Sequence, residues 1–223
     1  MKESSASPAA SRGASASTTS RMSRADQAAL TRRRVIDSAQ KLLLTEGWNG
    51  TTIRAVARDA GVSQETVYKG FGGKAALLKA VYDVRIAGDD APVSIAEREG
   101  IARLRAAETP VAAADAWAAH ALAILTRSAP IMALALGARA TELELAEFIA
   151  TTDAERMTGA TNTAAHWERL GWLRGSPSEA RDHIWLLGAP SAYQDVVALG
   201  WEREQQHAWY RDTLLALVLV AHT

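Results

Sequence analysis

The stretch that most constrains this chain runs from Thr51 to Leu78, TTIRAVARDAGVSQETVYKGFGGKAALL, because its cap residues and glycines fix several turns within 28 residues. Thr52 offers a side-chain oxygen just ahead of Ile53, Val56, Ala57 and Ala60. That spacing predicts a helix of about two turns with Thr52 as its cap. Gly61 is expected to close it, Val62 to return to the core, and Ser63 to cap a third helix holding residues 64–69. Gly70 is expected to end that helix, and after Gly72 and Gly73 a fourth runs through Leu77, Leu78, Val81, Tyr82 and Val84 toward Gly88. Upstream, Leu30, Val35, Ala39, Leu42 and Leu43 form one stripe of a first helix over residues 28–44, which stops at Gly47. Two short helices joined by a tight glycine turn are the sequence form of a helix-turn-helix.

Helical spacing continues nearly to the end and strand patterns are almost absent, so the fold class is all-α. A composition break, AGDDAPVS at residues 87–94, divides the chain. We expect a disordered, basic, Ser/Ala-rich tail over residues 1–24, a three-helix helix-turn-helix head over 25–88, and a helical bundle over 93–223. Helices are predicted near 95–106, 110–128, 130–140, 142–170, 178–188, 191–199 and 202–220, with Pro110, Pro130, Pro177 and Pro190 in four first turns.

Enzymatic readings fail on the residues. A nucleotide loop of the form G-x-x-x-x-G-K-[ST] would need Gly at 68 and Ser or Thr at 75, where Tyr68 and Ala75 stand, and no strand precedes it. No H-E-x-x-H or G-x-S-x-G pattern occurs. The chain has no cysteine, which removes disulfides and thiolate metal sites. We therefore expect no catalytic residue, no metal and no cofactor. The longest apolar run, LLALVLVA at 214–221, is too short to cross a bilayer, so a cytoplasmic protein without a membrane partner is expected.

Charge supplies the positive argument. Net charge is zero, but residues 1–85 hold 14 Lys and Arg against 7 Asp and Glu, and residues 86–223 hold 11 against 18. A basic front suits a polyanion. Around the third helix, Gln64 and Arg54 can make bidentate contacts to adenine and guanine edges, while Thr66, Tyr68, Lys69 and Lys74 suit phosphate and register. Arg12, Arg21 and Arg24 in the tail, with Arg32, Arg33 and Arg34, would add backbone contacts.

With those residues in place, the front resembles the TetR family of bacterial transcriptional regulators: Thr52, Val56, Ala57, Gly61, Val62, Ser63, Thr66, Tyr68, Phe71, Lys74, Leu77 and Leu78 stand at the family's spacing. The resemblance covers roughly residues 28–88. It implies a homodimer whose third helices enter the major grooves of double-stranded operator DNA, and a C-terminal bundle that dimerises and holds a small-molecule effector. It places Arg54, Gln64, Glu65, Thr66 and Lys69 at base edges, and Thr52, Tyr68 and Lys74 at phosphates. The function implied is a repressor released from its operator by a small molecule.

Two positions depart from the family pattern. Glu65 replaces a small residue, and it either accepts from a cytosine amino group or supplies favourable charge to the helix's first turn. Gly70 replaces an aromatic or His and is expected to shorten the reading helix. For the pocket, Trp117, His120, Met132, Arg139, His166 and Trp167 lie on predicted central helices and either line a cavity for an apolar or aromatic ligand or serve as core. For the dimer face, Trp185, Leu186, Trp209, Leu214, Leu217 and Val218 either pack across a two-fold axis or belong to the intramolecular core. The alternative function is a helical small-molecule- or partner-binding protein whose head does not bind DNA specifically.

Overall fold

The computed structural model describes residues 23–91 and 93–220, and the expected tail lies outside them except for its last two residues. Ser23 caps the first helix, α1, Arg24–Gly50: its hydroxyl accepts from the Asp26 N–H at 3.1 Å and its own N–H donates to the Asp26 carboxylate at 3.1 Å. Gly47 leaves helical geometry inside this span, at φ 70°, where the sequence placed the end of the first helix. Next come α2, Ile53–Ala60, α3, Gln64–Phe71, and α4, Lys74–Ala87. A linker and a short 3-10 turn, Ile95–Glu97, lead to α5, Glu99–Arg105. The remainder is α6, Pro110–Ala138; α7, Leu143–Arg169; α8, Pro177–Leu187; α9, Pro190–Ala198; and α10, Arg203–Leu217. Among the described residues no strand forms, and one isolated bridge joins Leu173 to Leu219.

Three expectations are corrected. The third helix does not stop at Gly70: it continues to Phe71, whose ring packs on the head core, and Gly72 ends it at φ 89°. The predicted helices 110–128 and 130–140 are one helix, with Pro130 inside. A proline removes one backbone donor, and here the helix on both sides of it is held by core contacts, from Trp117 and Leu122 before it to Ile131, Met132 and Ala135 after it. The predicted helix 95–106 is instead the 3-10 turn followed by α5.

The continuity of α6 also changes what its composition means. It is long and apolar enough to cross a bilayer, a property hidden in the sequence by Asp115, His120 and Arg127. In the fold it packs against α1, α4, α5, α7, α9 and α10.

Two apolar cores result. The first joins the inner faces of α1–α4 to Ile131, Met132 and Ala135 at the end of α6 and Leu145, Phe148 and Ile149 at the start of α7. The second fills the far bundle around Trp117, Leu122, Trp167, Tyr210 and Leu214. The head core thus includes residues from beyond the 87–94 break. Along α4, Tyr82 meets Phe148 edge-on at 5.3 Å, and Lys79 bridges Asp83 at 2.6 Å and Glu155 of α7 at 3.0 Å. At its C-terminal end Arg127 of α6 donates to the Arg85 carbonyl at 2.8 Å and the Ile86 carbonyl at 2.6 Å, while Arg85 donates back to the Arg127 carbonyl. Charged side chains placed on the last carbonyls of a helix satisfy orphan acceptors and suit its dipole.

Candidate nucleic-acid interface and ligand cavity

The turn between α2 and α3 is held by backbone chemistry. Gly61 sits at φ 65°, and a Cβ there would lie 2.7 Å from the Arg34 guanidinium, which donates to the Ala60 carbonyl at the end of α2. Val62 N–H donates to the Ala57 carbonyl at 2.9 Å. Ser63 then caps α3, its hydroxyl accepting from Thr66 N–H at 3.1 Å and meeting the Thr66 hydroxyl at 2.8 Å.

From this frame α3 buries a single anchor, Val67, at 0% exposure. Gln64, Glu65, Thr66, Tyr68, Lys69 and Gly70 all face solvent, as does Arg54 in the first turn of α2. Thr52 is committed to capping: its hydroxyl accepts from Ala55 N–H at 3.1 Å. Such a helix, fixed underneath and polar over its whole outer surface, can present side chains to base edges without rearranging its support.

Lys74 opens α4, whose cap residue is Gly73 and carries no side-chain cap bond. Its ammonium lies 3.9 Å from the centroid of the Trp48 ring. Burial holds its pKa below the ordinary lysine value, and Glu144 and Glu142 act in the opposite direction. A cation beside free amide donors at a helix start is an anion-binding arrangement.

A cavity of about 1120 Å³ lies where α4, the linker, α5, α6 and α7 converge. It is slightly larger than ordinary small-molecule sites. Of the residues predicted to line a pocket, Trp117, His120 and His166 do so. Met132 is buried in the first core, Trp167 in the second, and Arg139 stands exposed just past α6. Arg98 of the linker region, Ile101 and Leu104 of α5, and Arg32 of α1 also line it and were not anticipated. The one local signal was Gly100 inside α5: the His120 ring lies so close to it that a Cβ would collide with Nδ1.

The charges in the wall are organised. Arg98 grips Asp89 at 2.9 and 3.0 Å, and this bond, with the Ala91 N–H, holds the Asp89 carboxyl at about 2. Burial, then the Arg127 guanidinium, hold the His120 imidazole below its ordinary pKa. Burial, then Arg169 and Arg105, do the same to His166. Arg32 reaches in three directions: it lines the cavity, meets Asp90 at 3.4 Å, and stacks 4.9 Å from the centroid of Phe71, the last residue of α3.

The predicted dimer residues divide. Leu214 and Val218 are buried within the chain's own core because their spacing puts them on the inner face of the last helical turns. Trp185 is half-buried under the Arg156 guanidinium, 4.4 Å from the ring centroid, and Trp209 packs edge-on against Tyr210 at 4.9 Å. Leu186 and Leu217 are exposed. Among the described residues no cluster of His, Asp and Glu suited to a metal occurs.

Residues 35–81 match the bacterial regulatory proteins of the tetR family. The HTH-type transcriptional regulator AlkX of Mycobacterium tuberculosis is 42% identical over 59 residues, 26% of this chain and 28% of that regulator. The chain therefore spans little more than a quarter of that relative's length. Among solved structures, a TetR-family transcriptional regulator from Mesorhizobium loti superposes with a TM-score of 0.62 at 19% identity, over 87% of this chain and 99% of the other. A complex of SmeT with triclosan superposes with a TM-score of 0.62 at 17% identity, over 86% of this chain and 92% of SmeT. The fold of head and bundle is thus that of TetR-family regulators.

Proposed function

We propose that this chain, whose head is that of the tetR family of bacterial regulatory proteins, is a ligand-responsive repressor that binds operator DNA as a homodimer. The observation that carries the reading is α3: anchored by buried Val67 and by Phe71 on the head core, with Gln64, Glu65, Thr66, Tyr68 and Lys69 all exposed. Gln64, Glu65, Thr66 and Lys69, with Arg54 from α2, face base edges, and Tyr68 and Lys74 face phosphates, Lys74 together with the free amides that open α4. Thr52 acts by starting α2 in the right place. Leu186 and Leu217 are the exposed members of the proposed dimer face.

In a dimer, two reading helices must meet major-groove faces about 34 to 36 Å apart, so a small change in their spacing controls affinity. The cavity supports a small-molecule effector, in keeping with the triclosan complex of SmeT. A ligand favouring a bundle state with the wrong spacing shifts the population off DNA, and the coupling is reciprocal. Two routes lead from the cavity to the head: α4, which lines it and carries Lys74 at its other end, and Arg32 of α1, which lines it and stacks on Phe71 of α3.

A gel shift with DNA flanking the protein's own coding region tests the reading. Specific retardation that Lys69→Ala and Gln64→Ala abolish is expected; no preference over random DNA would leave the alternative, a helical binder without specific DNA recognition. Glu65→Ala on operator variants tests the carboxylate: relaxed preference at one cytosine is expected, and unchanged preference would reduce Glu65 to a first-turn charge.

A further inference from the structure

The cavity wall is asymmetric in what it has left to offer. Its apolar part, Ile101, Leu104, Trp117, Ile124, Leu125 and Ile184, suits a hydrocarbon or aromatic body. Its carboxylates are already matched: Asp83 and Glu155 by Lys79 at 2.6 and 3.0 Å, Asp89 by Arg98 at 2.9 Å, and Asp90 by Arg32 at 3.4 Å. An incoming cation would have to break one of these pairs to find a counter-charge, leaving a charge unpaired.

The unspent polar capacity is of the other sign. Arg98 uses both terminal nitrogens on Asp89 and keeps Nε buried without a partner among the described residues. Two residues along, Gly100 admits the His120 ring to a position that any side chain at 100 would deny it. His120 lines the cavity, makes no hydrogen bond with another described residue, and feels the Arg127 guanidinium. An imidazole can supply an N–H donor, and guanidinium groups nearby favour an acceptor that carries negative charge.

We propose that the cavity takes an organic anion, an apolar body with a carboxylate-like head, and that His120 seated on Gly100 receives the head. The proposal names the ligand class for the effector cavity and in that sense rests on the regulator reading. The Arg127 guanidinium, which meets no carboxylate among the described residues, and the unpartnered Arg98 Nε set the sign of the site, and Gly100 sets its shape.

Calorimetric titration of the full chain with decanoate, decanol and decyltrimethylammonium tests the proposal. Decanoate should bind at least about tenfold more tightly than the ammonium compound, a difference of about 1.4 kcal/mol. Gly100→Ala suits a helix but drives a methyl group into the His120 ring. That variant and His120→Leu should each weaken decanoate about tenfold or more and change decanol less than about threefold. The proposal is overturned if the ammonium compound binds as well as decanoate, if neither variant alters decanoate binding, or if none of the three probes binds. DNA affinity measured with and without each probe separates this proposal from the regulator reading. Decanoate bound in the expected pattern by a chain that shows no preference for its own flanking DNA over random DNA leaves the anion site standing and sinks the regulator. An ammonium compound that binds preferentially and releases DNA overturns the anion site and leaves the regulator.

Discussion

Gly61 and Gly70 are the same residue nine positions apart, and the fold uses them oppositely. Gly61 stands at φ 65° with the Arg34 guanidinium against its Cα, so an alanine would meet both the left-handed backbone penalty and a collision. Gly61→Ala should therefore lose about 1–2 kcal/mol of unfolding free energy from backbone strain alone, and more where Arg34 is pushed off the Ala60 carbonyl. Gly70 lies inside α3, with nothing within 4 Å of where a Cβ would stand. Gly70→Ala should instead gain up to about 1 kcal/mol, the helix-propensity difference. Urea denaturation of the two variants reads both signs, and a loss at position 70 would contradict the helical assignment there. Both glycines read as stops in the sequence because glycine punctuates helices. Telling them apart needed the packing of Phe71, one residue later, which extends α3 to Gly72.

At the scale of elements, the head was legible because its signals are local. Thr52 and Ser63 cap where their hydroxyls predict, and the outward residues of α3 follow from one turn, one cap and one buried valine. The far bundle was less so. Pro130 marked a boundary that the core contacts of α6 override, and the cavity depends on residues 32, 98, 101 and 104, brought to α6 and α7 by the tertiary fold. Lys74 was legible as a cation and illegible as a cation on Trp48. Lys74→Met keeps the apolar stem over the ring and removes the charge. It should weaken binding to all DNA sequences alike and reduce the magnitude of the log–log salt slope by about 1 per subunit, with base preference unchanged. The linker offers a separate test. Because Asp89 is held at about 2, below its ordinary 3.8, its contribution is present above pH 3.8 and is lost as pH falls through about 2. Acid titration followed by amide exchange at Ala91 should show the linker opening across that window, and Asp89→Asn should open it already at neutral pH.

Across the whole molecule, one of the two cores is shared by the head and the near ends of α6 and α7, and several polar contacts tie α1 and α4 to the linker and to the helices beyond it. Lys79 holds α7, Arg85 and Arg127 hold α4 to α6, and Arg32 touches the end of the reading helix, the linker and the cavity wall at once. Neither of the first two contacts reaches α3. Arg32 differs because its two partners lie on opposite sides of the proposed coupling: Asp90 belongs to the linker that lines the cavity, and Phe71 to α3. Arg32→Ala leaves Asp90 unpaired in the cavity wall and should weaken decanoate binding measured alone, but the coupling factor is a ratio that such a loss does not itself change. The factor by which either ligand weakens the other should fall toward unity, whereas the intact chain should show a coupling of about 1–3 kcal/mol, equal in both directions by linkage. DNA titrations with and without saturating decanoate, matched by decanoate titrations with and without DNA, measure both factors. Equal factors that survive Arg32→Ala would move the coupling to the Arg85–Arg127 contact on α4.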